Sequence, residues 1–216
     1  MDNHSFFRLG GGRVAPFADH APLPPHDGAV LVAELTVHEG PHGPRRLVVC
    51  RRDTDVAVRR PDGRLLWLET DDLSAARDPD DPACVLVTHG DAESPMLLPP
   101  DYGTEGLAIA SLESFCDSFD VEGWPEVAGP ADPVAVPGLG EAPRETTLVR
   151  CALESYGACE LHLDDRTGLV LGVRAGAALA ADGATPPARG SLLLEVSVLR
   201  EERSLASAAW FEPGDL

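Results

Sequence analysis

The chain has 216 residues, enough for one large domain or two small ones with a sizeable core. A hydrophobic content of 44% excludes wholesale disorder and a helical membrane bundle. A formal charge of -19 repels phosphate backbones and anionic headgroups, so no nucleic acid is expected as a partner, and no stretch is long and apolar enough for membrane insertion.

All 17 basic side chains are arginine, and the absence of lysine has chemical force. It excludes a phosphate-loop lysine, a Schiff-base lysine and the Ser-x-x-Lys acylases. The first residues, Met1 to Gly28, are rich in Gly and Pro and read as an irregular arm. They contain no basic stretch followed by an apolar run, so a cytoplasmic location is the expectation.

Ala29 to His38 reads as the first strand, apolar at nearly every position. Gly40-Pro41-His42-Gly43-Pro44 turns the chain, and strands follow at Arg46 to Arg52, Asp55 to Arg60 and Arg64 to Glu69. Tight turns between short strands predict an antiparallel sheet. Asp71 to Pro82 is acidic and turn-rich, and Cys84 to Thr88 is another short strand. One amphipathic helix is predicted over about 104–119, with Thr104 as its N-cap and Leu107, Leu112, Phe115 and Phe119 on its apolar face. Asp120 to Glu145 reads as a low-order strip with a short strand at Val134-Ala135-Val136.

A meander then runs over about 146–199, interrupted by an Ala/Gly/Pro-rich excursion from Gly176 to Gly190. Its hairpin is Leu161 to Leu171. Asp164 and Thr167 can fold polar groups onto nearby amides, and Gly168 supplies a left-handed residue before the strand resumes. The 29–216 region is expected to be a single domain closed by Trp210 and Phe211. Five cysteines show no metal spacing. Cys151 and Cys159 fall opposite each other if the chain turns near Ser155, as two thiols in a reducing compartment.

The order of strands, one helix, EVAGPADPVAV, ELHLDDRTGLVLGV, LLLEVSVL and SAAWFEPGD resembles the superfamily of LolA, an outer-membrane lipoprotein carrier, and RseB, a sigma-factor regulator. It looks most like unsecreted members from GC-rich bacteria. Asp164 or Asp165, Thr167, Gly168 and Leu169 match the family hairpin, and Ala209 to Phe211 with Pro213 match its closing segment. Pro130 stands where the family strand start carries an arginine. The resemblance implies a mostly β (α+β) fold, a strongly curved antiparallel sheet or half-barrel wrapped around one or a few helices. Its concave apolar face would hold an acyl chain or a protein partner.

Other motifs read as structure. His38-Glu39-Gly40-Pro41-His42 spells a zinc-protease signature that works only on a helix, which Gly40-Pro41 forbids. His89-Gly90-Asp91 with Ser94 lacks a nucleophile elbow. His162 is expected as a sheet-surface histidine paired with an acid. The expectation is therefore a binding module, not an enzyme, with no cofactor and no metal. An apolar small molecule or a protein segment is the expected partner, bound by Leu107, Phe115, Phe119 and Trp67. The alternatives are an interaction scaffold with an acidic rim and, last, a hydrolase using His38 or His89.

Overall fold

Val30–Glu39 (β1) is apolar along most of its length because both of its faces are covered. Side chains alternate across a strand. Leu31, Ala33, Leu35 and Val37 enter the main core, while Val30 and Val32 enter a smaller cluster behind the sheet. The chain is seen in a computed structural model that describes residues 29–39, 43–70, 73–77, 85–89, 104–138, 142–179, 191–203 and 210–211. The expected arm over residues 1–28 lies outside them.

Arg45–Arg52 (β2), Asp55–Arg59 (β3), Leu65–Glu69 (β4), Leu73–Arg77 (β5) and Val85–His89 (β6) continue outward from β1 as an antiparallel meander. Two short helices follow among the described residues, Thr104–Ala108 (α1) and Leu112–Ser118 (α2). The second meander comprises Val121–Val134 (β7), Arg144–Leu153 (β8), Gly157–Asp164 (β9), Val170–Gly176 (β10) and Ser191–Glu202 (β11). Strand β11 pairs along β1, so the eleven strands form one sheet in the order β6-β5-β4-β3-β2-β1-β11-β10-β9-β8-β7. Among the described residues the sheet is open, with β6 and β7 at its two ends. It is the mostly β, half-barrel fold, with the helices on its concave face.

Three expectations change. The single helix is two, because Ser111 leaves helical geometry and its hydroxyl accepts a bond from Ser114 N at 3.0 Å, capping α2. The low-order strip is the 14-residue β7. Pro125, Pro130 and Pro133 lack an amide donor and Gly123 and Gly129 have positive φ, features an edge strand tolerates through its register shifts. The turn-rich acidic segment contains β5, whose Ala75 and Ala76 are buried.

Phe211 joins the cluster behind the sheet, with Trp210 packed against it. Trp210 Nε1 donates to Glu202 at 2.9 Å and holds that carboxyl below its usual range. Among the described residues no helix is long and apolar enough to cross a membrane.

Candidate binding face

The loop between β9 and β10 is built from its own polar groups. Asp164 Oδ2 accepts from the Thr167 amide at 3.0 Å and from the Thr167 hydroxyl. Gly168, at φ 68°, returns its amide to Asp164 O at 2.8 Å. Arg144 then grips the same carboxylate from β8. Asp164 is 1% exposed, so its charge is met entirely by these donors.

This hairpin helps hold the helices. Arg51, 5% exposed, donates from Nη1 to Ala110 O and from Nη2 to Thr167 O, both at 2.6 Å. One buried guanidinium thus joins the link between the helices to the hairpin turn. Burial pushes its pKa down to about 10. The amide of Val170 donates to Ile109 O at 2.9 Å. At the start of α1, Arg45 donates to Glu105 and, at 3.0 Å, to Glu39, which also accepts from the Tyr156 hydroxyl. Burial raises the Glu105 pKa against the pull of Arg45.

Leu107, Phe115, Phe119 and Trp67 are brought together in the main core. Leu107, Phe115 and Trp67 are buried there, and Phe119 is half-buried at the margin. The rings of Phe115 and Phe119 tilt against each other with centroids 5.0 Å apart. Leu112, Cys116 and Val121 are also only partly covered, so the apolar surface frays where α2 meets β7. The concave face is occupied by α1 and α2, and its four residues reach a ligand only if those helices shift or at the Phe119 margin.

The other residues singled out lie apart. His38 sits on strand β1, so no helix carries it and Glu39 toward a metal. His42, Asp91 and Ser94 lie outside the described residues, and His89 ends β6. His162 is not the acid-paired surface residue expected. It is half-buried, its Nδ1 has no hydrogen-bond partner among the described residues, and burial, then nearby Arg174, lowers its pKa. Behind the sheet, a cavity of about 450 Å³ opens between Arg46, Arg60, Arg200, Glu34 and Trp210. Sequence reasoning did not foresee it, because its residues come from β1, β2, β11 and two turns with no shared motif.

No protein-family model matches the chain, and no curated protein does. Solved structures resemble it at low identity. The complex of MucA and MucB from Pseudomonas aeruginosa is 16% identical with a TM-score of 0.38, covering 87% of this chain and 56% of the other. This chain therefore spans little more than half the length of that one. A LolA superfamily protein from Nitrosomonas europaea is 11% identical with a TM-score of 0.33, covering 92% of this chain and 96% of the other. A domain assigned to outer-membrane lipoprotein sorting, from Vibrio parahaemolyticus, is 11% identical with a TM-score of 0.29, covering 85% of this chain and 89% of the other. One of these bears the superfamily name that the C-terminal motifs resemble.

These structures correct the expected cytoplasmic location. The Vibrio parahaemolyticus domain is described by outer-membrane lipoprotein sorting, which conflicts with a cytoplasmic assignment, and that assignment is dropped. The expectation rested on a pattern missing from Met1 to Gly28, and such an absence carries no compartment information.

Proposed function

We propose that this chain is a non-enzymatic binding module whose concave apolar face takes an apolar ligand or an apolar protein segment. The observation that carries the reading is the cover over that face. Helices α1 and α2 have 5 and 7 residues, too short to persist without docking. They lie on the sheet through apolar contacts and a few polar tethers, and a ligand offering similar apolar surface can take over part of those contacts. Phe119 and Leu112 form the entry, and Leu107, Phe115 and Trp67 line the depth.

The test is native mass spectrometry of the protein purified from its own cells, repeated under denaturing conditions. A mass excess lost on denaturation, with the released species apolar, supports the reading. A bare mass in every preparation, with no shift on adding a fatty acid, overturns the small-ligand form.

A second reading has its own support. Glu113, Asp117, Asp120, Glu122 and Glu126 are exposed along the chain from α2 into β7, as is Trp124 at 60% exposure. An acidic rim around an apolar patch suits a protein segment with basic flanks. Binding that weakens steeply with salt distinguishes this partner from a neutral lipid.

A further inference from the structure

Strands β8 and β9 meet in a turn at Glu154–Tyr156, and the third residue pair from that turn is Cys151 with Cys159. Directly opposed residues of an antiparallel pair have Cα atoms about 4.5–5.5 Å apart. That lies inside the window of about 4.4–6.8 Å that a disulfide needs. Opposed residues also share one face of the sheet, here the concave one, where both thiols join the main core. Cys116 of α2 packs against the same core, whereas Cys50 lies in the cluster behind the sheet. We propose that Cys151 and Cys159 are a redox-modification site that closes into a cross-strand disulfide by exchange with a small-molecule disulfide such as oxidised glutathione.

Access decides the order of events. Cys159 is 1% exposed, while Cys151 is half-buried. The hydrogen bond from Cys159 also holds the Cys151 thiol below its usual pKa, and the same contact drives Cys159 upward. Cys151 therefore attacks first. Its thiolate forms a bond to one sulfur of oxidised glutathione, the S–S bond of the reagent breaks, and one glutathione leaves as thiolate and takes up a proton. Cys159 then loses its proton and attacks Cys151 Sγ, expelling the second glutathione. Two protein thiols are oxidised to one disulfide, and one oxidised glutathione is reduced to two thiols. The second step is intramolecular, so the buried thiol never has to meet the reagent. The product ties β8 to β9 beneath α2. This inference is independent of what the concave face binds.

The experiment uses the whole chain, equilibrated with oxidised glutathione, quenched in acid, then alkylated with N-ethylmaleimide in denaturant. The reduced protein has five thiols to label. Oxidised wild type should carry two fewer adducts, with Cys151 and Cys159 joined in one peptide. Cys159→Ser should stop at a glutathione adduct on Cys151, and Cys116→Ser should oxidise like wild type. Full labelling after oxidation, or a link from Cys116 to either partner as the main product, overturns the proposal. Far-UV circular dichroism confirms that each variant is folded, and a variant that is not is replaced by the alanine substitution at the same position.

Discussion

Arg144 and Asp164 form a buried, two-pronged ion pair across β8 and β9. The guanidinium donates from Nε at 2.9 Å and from Nη2 at 2.6 Å, with side-chain exposures of 8% and 1%. Removing either partner strands the other charge away from water, at a cost of about 3–5 kcal/mol. Asp164→Ala should be the more damaging, because Thr167 loses its acceptor as well. Urea unfolding checks this: the expected order of midpoints is wild type, then Arg144→Leu, then Asp164→Ala.

Gly106 is pressed against β3. A Cβ there would stand 2.5 Å from Val58 Cγ1 and 2.9 Å from Cγ2. Val58 is fully buried and cannot swing aside, so Gly106→Ala should destabilise by about 1–3 kcal/mol despite alanine's better helix propensity. Shortening the neighbour relieves the clash. The double variant Gly106→Ala with Val58→Ala should therefore be more stable than the sum of the single effects by about 1 kcal/mol or more. Additive losses in a denaturation cycle would contradict this packing.

Glu105 predicts a pH dependence. Its folded pKa is raised, first by burial, and its Oε2 has no hydrogen-bond partner among the described residues. A raised carboxyl pKa means that the folded state binds the proton more tightly than the unfolded state. Its contribution is fully present below the ordinary value of 4.5 and is lost as pH rises through the folded pKa. Glu105→Gln abolishes that titration. Its stability relative to wild type should therefore be more favourable at pH 7 than at pH 4, measured by thermal unfolding at both. A pH-independent difference would contradict the buried, raised carboxyl.

The binding reading makes a prediction at the margin. Phe119→Glu places a charge at a half-buried position without opening the fully buried Phe115 site. The fold should survive, while binding of a fluorescent fatty acid should fall about tenfold, the equivalent of roughly 1.4 kcal/mol. Arg51→Met acts in the opposite sense. It cuts the tether from Ala110 to Thr167, so hydrogen exchange should rise in residues 105–119 and probe binding should increase. Unchanged exchange there would contradict Arg51 as the tether.

Branched apolar strands such as Val30–Glu39 and Arg45–Arg52 were legible in the sequence because dense apolar runs bounded by Gly and Pro have few other outcomes. The hairpin was legible for a local reason, since Asp164, Thr167 and Gly168 act within five residues of chain. Strand β7 was hidden because its prolines and glycines resemble a linker, and only its place at the sheet edge makes them tolerable. The helix break was hidden by Ser111, which keeps the apolar spacing while serving as a cap. Arg51 and Arg144 carry no plain mark in the sequence, because a strand arginine usually points to water. The one signal was that Arg51 shares the parity of Leu47 and Val49. Nothing in the sequence showed how much of the concave face the helices would cover.

The seam between β1 and β11 sets an order on synthesis. A ribosome releases β1 first and β11 last among the described strands, yet the two lie side by side over ten residue pairs, with one register shift between Glu34 and Leu35. Until β11 emerges, one edge of Val30–Glu39 has no partner among the described strands, and that edge belongs to one of the most apolar of them. The nascent first meander is thus sticky for nearly the whole time of translation. A ribosome stalled before Ser191 should yield a chain that aggregates or is held by a chaperone, while release of the last strand closes the seam and ends the hazard.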